Sequence, residues 1–360
     1  MKVKDSLKNI RKDLLKEIDS IDSPMTFYNV QYKIASEIIE GENNYRNTFL
    51  EEYREHVLLL RNYGDTLPFR ILSPYTIQKL YDVENKLHFL SDDKDNTLNI
   101  LNKAKEYAKK GSIVIVGFVT NYINTCDILV CDDIENPITI NLEKENSWEN
   151  IINLSNIKKE KEIHILNSKK NIDLAKKEIL NRHKYLKEES ISYNFKVVND
   201  VVKRCLKNEE ASGVIDEDDV IWAFQYKGEI PEMPKSISSK IKNYKLPVVG
   251  CHFRVLDEPE LMISPPTCWP IDFECRFLLM EGNVALMHYI DAEGFKKSNK
   301  PENFVKDILY RNGKLKKNCI VVENNNKEKI YSCKVVNSVV YGYSNIGETA
   351  NLIINYGMKA

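Results

Sequence analysis

Three polar side chains fall on two short apolar runs: Asp127 on the first, Asn141 and Glu143 on the second. Side chains alternate across a β-strand, so a strand carrying Ile128 and Val130 on one face carries Asp127 on the other. By the same alternation Ile138, Ile140 and Leu142 point toward a core, and Thr139, Asn141 and Glu143 point away from it. Pairing the two strands as a hairpin brings Asp127, Asn141 and Glu143 onto one polar face. Two carboxylates held that way suit a divalent cation. Mg²⁺ often takes only one or two protein carboxylates, and there it activates water and steadies a phosphoryl transition state.

Local sequence supplies the elements that would position this face. Thr97 to Lys110 reads as a helix with Leu98, Leu101, Ala104 and Ala108 as its buried stripe, and Gly111 stops it. Ser112 to Val119 is an apolar strand, expected to be central and covered on both faces. Cys126 to Cys131 and Pro137 to Glu143 follow as strands joined by a short turn.

A helix, a buried strand and a hairpin with Asp127 on its first strand resembles the core of the PD-(D/E)XK nuclease-like superfamily. The stretches Gly117-Phe118-Val119-Thr120-Asn121, Asp127-Ile128-Leu129-Val130 and Ile138-Thr139-Ile140-Asn141-Leu142-Glu143 are also similar to a set of uncharacterised bacterial proteins with that core. The resemblance covers residues 96–144. It implies a restriction-endonuclease-like fold and Mg²⁺-dependent cleavage of nucleic acid, with Asp127 and Glu143 as metal ligands and Asn141 assisting. The sequence departs from the family pattern at its second strand. Asn141 stands where a carboxylate belongs, Glu143 stands where lysine belongs, and Lys144 is displaced by one residue.

Lysines add a second ingredient. Lys170, Lys177 and Lys184 fall on one face of an expected helix running to about Lys187, a face suited to phosphate backbones. A further basic surplus lies between Lys296 and Lys317. The whole chain nevertheless has a net charge of −1 and is rich in lysine and asparagine throughout, so a solvated helix face is the plainer reading of each run.

Other constellations are weaker. Cys251 and His252 with His288 downstream sketch a nucleophile and base, but adjacent residues on a strand face opposite ways. Cys251, His252, Cys268 and Cys275 lack the clamping pair of a zinc site, and the eight scattered cysteines read as reduced, buried thiols. His183 reads as a surface or packing residue, and Trp269, set between prolines, as a core anchor.

The rest of the chain frames this core. Residues 1–86 read as a helical layer, with Ser23-Pro24 starting one helix and Gly64 and Pro68 ending another. Residues 87–190 form the α/β core around a small mixed sheet, and residues 191–245 a helical bridge. Residues 246–360 form a β-rich region whose strands include Lys329 to Tyr343 and Thr349 to Tyr356. The fold class is therefore α/β. The absence of a leader-like or membrane-length apolar run predicts a cytoplasmic chain with no membrane partner. Two functions stay open. One is a divergent metal-dependent nuclease-like protein acting on nucleic acid. The other is a non-catalytic binding or assembly module contacting protein, nucleic acid or further copies of itself. A bacterial defence or mobile-element setting fits either.

Overall fold

The structure, a computed structural model, describes residues 2–72, 76–77, 80–81, 89–132, 137–142, 194–252, 264–298, 303–311, 314–324, 327–332, 334–343 and 345–359. The chain forms two compact units, Met1–Lys184 and Tyr185–Ala360. It is mixed α/β, with helices at its start and antiparallel sheets in its C-terminal region. Among the described residues no helix is long and apolar enough to cross a membrane.

Unit 1 opens with helices α1 (Lys2–Asp19), α2 (Pro24–Thr48) and α3 (Glu51–Ile71). The start of α2 follows local chemistry. Ser23 Oγ accepts from Thr26 N at 3.2 Å, Thr26 Oγ1 accepts from Ser23 N at 2.9 Å, and Pro24 fills the first turn. The expected stop at Gly64 and Pro68 does not occur, because both lie inside α3. The reason is tertiary. Every residue from 59 to 68 is buried, so the helix is covered on all sides. Gly64 sits where a Cβ would come 1.8 Å from the Val119 carbonyl oxygen. The glycine here permits close packing rather than a turn.

Helix α4 (Lys94–Lys109) is capped by Asp93, which accepts from Asn96 N at 3.2 Å, and Gly111 at φ 93° follows its end. Its buried stripe is Thr97, Ile100, Leu101, Ala104 and Ala108, whereas Leu98 is exposed. Strands β1 (Val114–Val116), β2 (Ile128–Val130) and β3 (Ile138–Ile140) form an antiparallel sheet in the order β1-β2-β3. The small sheet expected to be mixed is thus antiparallel among the described residues, and β2, not β1, is central. β1 is nonetheless fully buried, because Gln31 of α2 covers its free edge. The strand expected to reach Val119 ends at Val116, where a 3-10 turn over Gly117–Val119 begins. Thr139 is buried while Ile138 and Ile140 are half-buried, which reverses the expected facing of β3.

Unit 2 contains α5 (Phe195–Asn208), β4 (Glu210–Asp216), β5 (Asp219–Gln225), α6 (Lys235–Ile241), β6 (Pro247–His252), α7 (Phe273–Met280) and β7 (Val284–Asp291). It continues with β8 (Asn303–Arg311), β9 (Lys314–Asn324), β10 (Lys327–Ser332), α8 (Lys334–Gly342) and α9 (Ile346–Lys359). One antiparallel sheet runs β4-β5-β7-β6 and another β10-β9-β8. The stretch 191–245 is therefore more than a helical bridge, since β4 and β5 join β7 through the register Ile221↔His288. β5 is buried on both faces. Ile221 and Ala223 pack with Val198, Val201 and Val202 of α5, and Val220, Trp222 and Phe224 pack with Ile237 of α6.

The last two expected strands are corrected: beyond Ser332 the chain forms α8 and α9. Valine and isoleucine favour strands locally, but Val336, Val339 and Val340, then Ile346, Ala350 and Ile354, recur at helical spacing. All six are buried in one core with Val305, Ile308, Ile320 and Val322 of the three-stranded sheet.

Candidate functional site

Asp127 and Asn141 do meet at the hairpin, as closing contacts within it. Asp127 Oδ2 accepts from the backbone N–H of Leu142 at 2.7 Å. Asn141 Oδ1 accepts from the backbone N–H of Asp127 at 3.1 Å, and the same N–H also meets the Ile140 carbonyl at 3.0 Å. Each side chain thus satisfies a backbone donor on the other strand, just beyond the last ladder pair Ile128↔Ile140. Glu143 lies outside the described residues, as do Lys170, Lys177, Lys184 and His183.

The expected site joins Asp127 to a second carboxylate, with Asn141 as a neutral oxygen. Asn141 directs its oxygen to an amide hydrogen instead. Among the described residues no group of three or more His, Cys, Asp or Glu side chains is placed to hold a metal. Of the expected ligand pair the described residues include only Asp127, whose Oδ2 is engaged by the Leu142 N–H.

The denser polar constellation of unit 1 lies one layer away, between α3 and the loop after β1. Asp65 accepts from Asn121 N at 2.6 Å and from Asn121 Nδ2 at 2.7 Å. Asn121 Nδ2 also donates to Asn62 Oδ1 at 2.9 Å. Arg61 Nη1 donates to the Phe118 carbonyl at 2.8 Å, and Arg61 lies 3.7 Å from Glu42, which accepts from Ser91 N at 2.8 Å. Arg61, Glu42 and Asp65 are all buried. Burial pushes the Asp65 carboxyl up to about 7, against the opposing pull of hydrogen bonds from Asn121 and Tyr122 and of the Arg61 charge. Burial likewise pushes the Arg61 guanidinium down, opposed by Glu42 and Asp65. This network pins the loop carrying Thr120 and Asn121 onto α3. Its sequence signal was the pair Arg61 and Asp65, one helical turn apart beside the apolar run 57–60. Reading Gly64 as a helix stop concealed it.

Unit 2 settles the cysteine–histidine arrangement. The register Gly250↔His288 and Cys251↔Met287 puts His252 and His288 on one face of the sheet and Cys251 on the other. Burial also pushes the Cys251 thiol up, the reverse of what a nucleophile needs. The two histidines instead serve α8. His288 Nδ1 donates to the Val340 carbonyl at 2.7 Å, and His252 Nε2 donates to the Tyr341 carbonyl at 3.1 Å. These carbonyls belong to the last turn of the helix, where no further intrahelical donor exists. The other ring nitrogen of His288 meets Asp219.

The ring of Tyr343 lies between the two histidines, with centroids 5.4 Å from His252 and 4.9 Å from His288. Trp269 meets His252 edge-on at 4.7 Å and donates from Nε1 to the Ser264 carbonyl, which makes it the core anchor expected. The basic surplus of residues 296–317 is partly neutralised in place. Lys296 pairs with Glu293 and Asp307, Lys297 with Glu217 and Asp218, and Lys306 with Glu323 and Glu328.

No family model, no curated protein and no solved structure matches the chain.

Proposed function

We propose that this protein is a non-catalytic binding module that uses a nuclease-like α–β–β–β core as a scaffold. The observation that carries this reading is the mutual engagement of Asp127 and Asn141 with backbone amides of the hairpin. A catalytic carboxylate keeps its oxygens turned to a metal or a substrate, whereas this one closes a strand pair. The buried acids Asp65 and Glu42 likewise accept from amides of their own unit. Ion pairing across the 296–317 run weighs against a phosphate-gripping face there.

The test is a Mg²⁺- and Mn²⁺-dependent cleavage assay on single- and double-stranded DNA and RNA, with an Asp127→Ala/Glu143→Ala control. No cleavage that depends on this pair is expected. Metal-dependent cutting abolished by the double substitution would overturn the module reading in favour of a divergent nuclease.

A further inference from the structure

We propose that the C-terminal end of α2 is a docking surface for a protein partner bearing an apolar anchor within a basic surround. The proposal deepens the binding-module reading and rests on it.

Phe49 ends α2 in the left-handed conformation at φ 54° while leaving 76% of its surface exposed. Glycine or asparagine takes this position readily, and an aromatic side chain is disfavoured there. Folding thus gains little from the ring beyond one edge contact with Tyr45: it is strained in backbone and wet in side chain. Other apolar side chains lie near it. Tyr45 meets the Phe49 ring edge-on at 6.3 Å, Leu50 is exposed beside it, and the exposed ring of Phe89 lies under the Arg46 guanidinium at 4.9 Å. Aromatic rings with one arginine are the composition of interface hot spots.

The rim decides the occupant. Among the described residues the exposed acids here are Glu51, Asp92, Asp93 and Asp95, with Glu52 half-buried, against the exposed bases Arg46, Arg54 and Lys94. Arg46 is already paired with Asp92 at 2.5 Å and Arg54 with Glu51 at 3.4 Å. Lys94 then stands against Asp93, Asp95 and Glu52, so the surplus that faces solvent is negative. A nucleic acid or an anionic lipid surface is repelled by such a rim, and a second copy would set acid against acid. A protein segment with an aliphatic or aromatic residue flanked by Lys or Arg fits both the patch and its rim.

The test pans a random peptide library displayed on phage against the full chain, then measures synthesised winners by fluorescence anisotropy. Winners should carry an apolar anchor between basic residues and bind more weakly as salt rises. Phe49→Asn keeps the left-handed cap and removes the ring, and Phe89→Ser removes the second ring. Each should weaken binding roughly tenfold or more, with thermal unfolding of Phe49→Asn at or above that of the wild type. Lack of enrichment, acidic winners, or winners indifferent to both substitutions would overturn the proposal. So would self-association in sedimentation that Phe49→Asn abolishes, which would make the occupant a second copy. None of these outcomes depends on the cleavage assay, so docking and module readings can fail separately.

Discussion

Gln31 of α2 completes the edge of β1 as a strand would: its Oε1 accepts from Val116 N at 2.7 Å and its Nε2 donates to the Val114 carbonyl at 2.8 Å. The amide is fully buried and bonds one donor and one acceptor of the same strand edge. Without it, two buried backbone groups would lose their partners. Gln31→Leu should therefore cost about 2–4 kcal/mol, read from urea denaturation. A loss no larger than that of a surface substitution would show that water or another group replaces the amide.

Gly64→Ala sets two rules against each other. In an exposed helix the change gains roughly 1 kcal/mol. Here the new Cβ would fall 1.8 Å from the Val119 oxygen, a backbone atom that cannot swing aside. Destabilisation of about 3 kcal/mol or more is expected, and a stabilised variant would mean that α3 and the loop do not pack as described.

Asp65 makes unit 1 sensitive to neutral pH. Its carboxyl ionises near 7 when folded and near 3.8 when free. Below 3.8 both states hold the proton and there is no penalty. Between 3.8 and about 7 only the unfolded state ionises, so stability falls as pH rises, and above 7 the loss is complete. The gap corresponds to about 4 kcal/mol. Hydrogen exchange on unit 1 amides, corrected for intrinsic rates, should show this decline between pH 5 and about 7, flattened by Asp65→Asn. Equal slopes in the two proteins would count against a carboxyl whose burial outweighs its partners.

His252 gives unit 2 the opposite slope. Burial, with the nearby His288 second, pushes its imidazole down to about 3 from an ordinary 6.5. Below 6.5 the unfolded chain takes up a proton that the folded ring refuses, so stability falls as pH drops from 6.5 toward 3. Amides of α8 should lose protection on acidification, and His252→Phe should remove that dependence. Because the two units respond in opposite directions, whole-chain denaturation alone would understate both.

Tyr343 contributes its ring and not its hydroxyl. It sits at φ 55°, buried between His252 and His288, and its hydroxyl finds no partner among the described residues. Tyr343→Phe keeps both stacks and removes a buried unsatisfied group, so it should be neutral or stabilising by about 1 kcal/mol. Tyr343→Ala should cost about 3–5 kcal/mol. A marked loss in the Phe variant would reveal a partner for the hydroxyl.

Short-range chemistry was legible along the chain wherever neighbours in sequence carry it. Ser23 and Pro24 start α2, Asp93 and Gly111 bound α4, and the hairpin that brings Asp127 beside Asn141 follows from alternation. The helix ends depend on groups within a few residues and the hairpin on two strands joined by one short connection, so the sequence by itself determined them. Tertiary structure decided the rest. Gly64 became a contact because Val119, far along the chain, packs against it. The valines of α8 became helical because their burial at helical spacing outweighs a strand preference worth only tenths of a kilocalorie each. Asp127 closes the hairpin because an amide, Leu142 N, reaches its carboxylate. Alternation assigns a side chain to a face, but only the folded chain shows which donor meets it there, as the Leu142 N–H meets Asp127.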